Sequence, residues 1–277
     1  MRFGLDIAQQ RMPFDEVVAR ARFADEAGFD GVWGFDHFQP MYGEGPGECF
    51  EGLTTLAALS GHTTHARLGL LVAGVTYRHP SVLAAEAMTI DHASGGRLEL
   101  SLGAAWFEPE HRSLGIAFPG TGTRIEMLDE ALTIVRGLLT TDGFSFEGRH
   151  WQVRDATLHP RPVQSPHPPI WIGASGERKM LPLVARHADV WHTFGDPATI
   201  ARKSALLDDL ANEAGRDPAT IARAASLSLS DPWDEVRANV NALRALGVSY
   251  LICGWPSEGR ARIDEFVEQV LPSFRHD

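Results

Sequence analysis

Cysteine is almost missing: Cys49 and Cys253 are the only two in 277 residues. Two thiols so far apart make neither a disulfide framework nor a zinc motif, and a reducing cytoplasm is the expected home. No run of eighteen apolar residues occurs, so no membrane span is expected. The start, from Met1 to Asp6, has no basic region leading into a long apolar core, so no secretory leader is expected either. Positive charge is also scarce, with 25 Lys and Arg against 36 Asp and Glu and a formal net charge of -11. A nucleic-acid partner needs a basic face and is not expected, whereas an anionic small molecule needs only a few local donors. Histidine is present twelve times, but no His-x-His closes the first apolar segment. His62 and His65 fall before the third apolar segment, away from the chemical end of a strand, and His79, His92, His111, His150 and His192 are scattered. No metal is expected.

What the chain does have is alternation. Strand-like apolar segments at 3–7, 31–35, 68–75, 98–102, 169–172, 190–193, 221–229 and 249–253 alternate with helical patterns at 15–27, 52–63, 81–92, 124–139, 178–186, 199–214, 234–246 and 263–270. Phe14, Val17, Val18, Ala21 and Ala24 share one helical face, and Gly28, Gly215 and Gly247 mark stops. Eight strand–helix units in one domain over 1–277 predict a closed (β/α)8 barrel rather than an open doubly wound sheet. One insertion, 143–168, interrupts the pattern. Two alternating stretches around Gly148 predict a small hairpin, followed by a proline-rich connector across the barrel mouth or along its flank.

Barrels carry chemistry at the carboxyl ends of their strands. The second strand ends in Asp36-His37, before the break at Gln39-Pro40, and histidine can give or take a proton near neutrality. The third leads into Gly74 and Arg78, where Arg78 can pair with an anion or tie loops together, and Pro80 suits a helix start. The fourth ends in Gly103, Ala104, Ala105 and Trp106, where small residues let a flat ligand approach the backbone. Glu110, four residues on, is expected to form an ion pair within its loop. The fifth ends in Gly173, Ala174, Ser175 and Gly176, then Arg178 and Lys179, a flexible turn into a helix that suits a phosphate.

Taken in order, 28–38, 67–80, 91–106 and 168–173 resemble the bacterial luciferase-like family of flavin and deazaflavin enzymes, and within it the coenzyme F420-dependent oxidoreductases. The resemblance implies a barrel with one insertion and a tricyclic ring lying at the strand ends. It implies a non-prolyl cis peptide at Leu71-Val72, in a bulge beneath the ring beside Gly74. Asp36 and His37, the small residues Gly103, Ala104 and Ala105 with Trp106, and a phosphate loop from Gly173 through Ala174 and Ser175 to Gly176 are the implied cofactor contacts. His37 is the implied proton donor or acceptor, with Asp36 orienting it or bonding the ring. Relatives are often homodimers, so a homodimer is expected.

Two departures bear on substrate. The family's sugar-phosphate dehydrogenases have a glutamate where this chain has Trp106, and an aromatic where it has Met41. Trp106 suits a flat or hydrophobic substrate, and reduction of an activated C=C, C=N or C=O bond is expected. The alternatives are an FMN-dependent monooxygenase of the same fold and a barrel that binds such a ring without turnover.

Overall fold

The computed structural model describes residues 1–275. In chain order the elements are β1 (Arg2–Asp6), α1 (Phe14–Glu26), β2 (Gly31–Gly34), α2 (Gly52–Ser60), β3 (Arg67–Leu70), β4 (Ala73–Gly74), α3 (Pro80–Ala93) and β5 (Leu98–Gly103). Then come α4 (Glu108–Leu114), α5 (Thr121–Thr140), β6 (Phe144–Glu147), β7 (Gln152–Ala156), β8 (Ile170–Gly173) and α6 (Met180–His187). They are followed by β9 (Val190–Thr193), α7 (Pro197–Glu213), β10 (Ala222–Leu227), α8 (Trp233–Ala245), β11 (Val248–Gly254), α9 (Arg260–Gln269) and a short 3-10 turn (Leu271–Phe274).

The barrel strands run β3-β2-β1-β11-β10-β9-β8-β5, all parallel, and β5 closes the ring onto β3 and β4. This is the expected (β/α)8 barrel, with one difference. The apolar run 68–75 looks like one strand, but it is broken into β3 and β4. From Gly69 to Ala73 the chain takes one more step than β5 takes from Glu99 to Leu102, so the strand bulges. The cis Leu71-Val72 peptide lies in that bulge, where the resemblance put it.

Alternate strand residues point inward. Trp33, Trp171, Val190, Ala224, Tyr250 and Ile252 fill the barrel's interior as one buried cluster. Each buried indole finds a partner: Trp33 Nε1 donates to Tyr250 Oη at 3.1 Å and Trp171 Nε1 to Glu99 Oε2 at 2.6 Å. Gly4 and Gly69 make room for Trp33, whose indole a side chain at either position would strike. This plug makes the barrel interior a packed core rather than a pore.

The insertion lies on the flank. β6 and β7 pair antiparallel, and Glu130 of α5 accepts the backbone N–H groups of Arg149, His150 and Trp151. Trp151 meets His79, the N-cap of α3, at 5.0 Å. Pro80 opens α3, as its fixed φ predicts. No helix among the described residues is long and apolar enough to cross a membrane.

Candidate active site

A cavity of about 480 Å³ opens at the carboxyl ends of the strands, within the size range of small-molecule sites. Of the residues singled out by sequence, Asp36, His37, Leu71, Val72, Gly74, Gly103, Ala104, Ala105, Trp106, Gly173, Ala174 and Ser175 line it. Gly176 follows in the same loop, outside the lining. Val72 stands over the glycine walls. A Cβ on Gly103 would collide with it, and one on Gly173 would lie 3.0 Å from its Cγ1.

Asp36 does not orient His37, contrary to one expected role. Its buried carboxylate takes Arg78 through two guanidinium nitrogens, at 2.6 and 2.9 Å, and the Gly74 N–H at 2.8 Å. Arg78 also reaches Glu51 at 2.7 Å and Glu86 at 3.5 Å. It therefore ties its own loop, between β4 and α3, to both ends of the β2–α2 connection and to α3, and is not free for an outside anion. Burial alone would lower the Arg78 pKa, but Asp36 and the two glutamates more than reverse this and hold it above its ordinary value.

The residue that orients His37 is Glu110, which the sequence reading placed in an ion pair within its own loop. That expectation is corrected: Glu110 sits in α4, is fully buried, and reaches across to the end of β2. One carboxylate oxygen accepts the Phe38 and Gln39 N–H groups at 2.5 and 2.7 Å. The other accepts the Tyr77 hydroxyl at 2.5 Å and meets His37 Nδ1 at 3.1 Å. Burial pushes the Glu110 pKa up, yet the bonds from His37, Tyr77, Phe38 and Gln39 outweigh it and hold the carboxyl below the ordinary range. An ionised carboxylate only accepts, so the hydrogen on the Glu110 side belongs to His37 Nδ1. Nε2 is then the nitrogen left for a ligand, and it has no partner among the described residues. The pattern for α4 was present in the sequence, with Pro109 near its start and Gly115 as a left-handed stop at φ 70°. Seven residues are too few for periodicity to reveal a helix.

His192 was also missed, being grouped with the scattered histidines. It is inward-facing on β9, two residues beyond Val190, and lines the cavity. Its Nε2 meets Ser226 Oγ at 3.1 Å, while the buried Nδ1 has no partner among the described residues. Burial lowers its pKa to about 4, so the ring is neutral at pH 7. A buried polar atom without a partner in the wall of a cavity is the place for a ligand hydrogen bond.

Beyond Ala174, the backbone N–H groups of residues 175–179 have no partner among the described residues. Arg178 and Lys179 are exposed there, and Lys179 reaches the start of α5 beside Gly122. Free N–H groups before a helix and two cations suit an anionic tail. Walls of Val72, Gly103 and Ala104 suit a flat ring. Together with the open Nδ1 of His192, the site fits a planar cofactor with a phosphorylated tail. Among the described residues no group of three His, Cys, Asp or Glu side chains is placed to hold a metal ion.

The likeness to known proteins runs over nearly the whole chain. The sequence model described as luciferase-like monooxygenase matches residues 1–269. An F420-dependent glucose-6-phosphate dehydrogenase of Microbacterium testaceum is 34% identical over 220 residues, 78% of this chain and 64% of that protein. An F420-dependent hydroxymycolic acid dehydrogenase of Mycobacterium tuberculosis is 30% identical over 225 residues, 81% of this chain and 61% of that protein. The chain thus spans less than two thirds of the length of these curated relatives. In fold, it is similar to an F420-dependent secondary alcohol dehydrogenase solved with an F420-acetone adduct. The TM-score is 0.86 over 98% of both chains, at 18% identity.

Proposed function

The chain belongs to the luciferase-like monooxygenase family, and on that premise we propose that it is a coenzyme F420-dependent oxidoreductase acting on a small organic substrate. The favoured direction is reduction of an activated C=C, C=N or C=O bond. The carrying observation is a histidine fixed at Nδ1 by an ionised, buried glutamate, with Nε2 left for the cavity. The F420-dependent relatives support the choice of cofactor.

Leu71, Val72, Gly74, Gly103, Ala104 and Ala105 are assigned to the ring, and 173–176 with Arg178 and Lys179 to the phosphorylated tail. When bound, the deazaflavin supplies a hydride or takes one back. His37 gives or takes the accompanying proton at Nε2. Glu110 holds the Nδ1 hydrogen and stabilises the imidazolium, as a carboxylate does for a catalytic histidine. Asp36, fixed by Arg78, keeps the end of β2 against the bulge and presents a rigid wall.

Parallel fluorescence titrations with F420 and FMN test this reading. Tight F420 binding with weak FMN binding is expected, and the reverse overturns it. His37→Ala is expected to cut turnover by about 100-fold while F420 affinity stays within about twofold. An unchanged rate would remove His37 as the acid–base group. The second reading, an FMN-dependent monooxygenase, draws on the family's own description and on a site that suits any flat ring with a phosphorylated tail.

A further inference from the structure

The mouth of the cavity has a chemistry of its own. Tyr42, Trp106 and Phe194 are 64%, 64% and 61% exposed, and all three line this cavity. Large exposed aromatics gathered at one concavity mark a binding surface. Two of them stand on the site histidines: Trp106 meets His37 edge to face at 5.8 Å, and Phe194 meets His192 at 4.9 Å. Met41, Ile125 and Met180 extend the apolar lining.

The lining between these aromatics carries little charge. Among the described residues no Lys or Arg lines the cavity, and its one carboxylate, Asp36, is neutralised by Arg78. Cations lie outside the lining: Arg11, whose guanidinium is taken up by the Tyr42 and Gly45 carbonyls, and Arg178 and Lys179 in the loop after β8. A substrate carrying phosphate or carboxylate would leave its charge unpaired against aromatic rings, which is strongly unfavourable. The glucose-6-phosphate chemistry named for the Microbacterium relative finds no cation here.

Building on the assignment as an F420-dependent oxidoreductase, we propose that the substrate is an uncharged, planar, largely apolar molecule with a conjugated C=C, C=N or C=O bond. It is held against Trp106, Phe194 and Tyr42, with its reducible bond toward His37. The rings select by area and flatness, and the missing cations select against anions.

Calorimetric titration of the full chain, with and without F420, tests this with cyclohexenone, benzylideneacetone, chalcone and the para-carboxylate of chalcone. Kd is expected to fall about tenfold from cyclohexenone to benzylideneacetone and again to chalcone, as apolar contact area grows. The carboxylate is expected to bind at least about tenfold more weakly than chalcone. Phe194→Ala and Tyr42→Ala, both at exposed positions, should each raise the chalcone Kd by about tenfold, with F420 affinity and melting temperature unchanged. A Kd that stays flat across the series, equal binding of the carboxylate, or no response to either variant overturns the inference. If F420 itself does not bind, the cofactor assignment falls separately. The chalcone series on the cofactor-free chain still reads the aromatic mouth, and a flat series there overturns this inference too.

Discussion

The two sides of the cavity are built on opposite plans. On the side formed by β2, β4, β5 and α4, nearly every polar group is taken. Asp36, Arg78, Glu51 and Glu86 form one network, and Glu110 gathers four donors. His111 fastens α4 further, stacking on Tyr77 at 4.7 Å and bonding Thr76 through Nε2 at 2.7 Å. On the side formed by β8 and β9, groups are left without partners among the described residues, at the N–H groups of 175–179 and at Nδ1 of His192. Apart from His37 Nε2 and the Glu86 oxygen that meets Arg78 only at 3.5 Å, the first side is satisfied within the chain, whereas the second keeps its open groups for a ligand. The lesson is that preorganisation and recognition occupy different arcs of the same barrel mouth.

The largest test of that contrast is Arg78→Ala. It strands the buried Asp36 carboxylate, and a loss of about 3–5 kcal/mol in urea denaturation is expected. A loss below about 1 kcal/mol would mean the network does not hold that side together. Arg78→Lys should recover only part, because an ammonium cannot grip Asp36 through two nitrogens.

His192 offers the matching test on the open side. In the folded chain it takes a proton only near pH 4, against 6.5 for an ordinary histidine. Acid between those values favours the unfolded chain, so the stability it contributes is full above pH 6.5 and is lost as pH falls toward 4. The whole window is worth about 3 kcal/mol. Asp6, pushed up to about 6 by desolvation, runs the opposite way over much of that range. The difference between the native chain and His192→Leu therefore isolates the histidine, and that difference should shift toward the variant by about 3 kcal/mol between pH 7 and pH 4. A pH-independent difference would mean the ring is not kept neutral by burial.

Glu110→Gln keeps a side chain of the same shape but removes the charge facing Nδ1. Turnover is expected to fall by about 30-fold, near 2 kcal/mol. In the reductive direction His37 gives the proton, so the alkaline limb of the pH–rate profile should shift downward as the imidazolium loses its partner. A lower rate with an unmoved profile would reduce Glu110 to scaffolding. The smallest effect belongs to Lys179→Ala, expected to weaken F420 by about fivefold, with the effect shrinking in high salt. A salt-independent loss would place the tail elsewhere.

The barrel was legible because its strands are continuous apolar runs and its helices stop at glycines such as Gly28, Gly215 and Gly247. The bulge was legible only through the family resemblance, because Leu71 and Val72 are as apolar as the strand around them, and hydrophobicity does not report register. The Asp36-His37 pair was found by its place at a strand end. Its partners were not, because Glu110 is 73 residues from His37 and Tyr77 is 33 from Glu110, contacts that only the closed fold creates. His192 had a usable signal. Given the strand at 190–193, strand alternation places it on the same inner face as Val190.

The short stretch from Trp106 to Glu110 has a practical consequence for anyone reshaping this protein. It carries both the ring at the mouth and the carboxylate behind His37, within five positions of one another. A segment exchanged there from a relative would change the ring at the mouth and the partner of His37 in a single step. Diversification of this barrel by loop grafting is thus safer at Tyr42 and Phe194, which have no part in holding the histidine, than between β5 and α5.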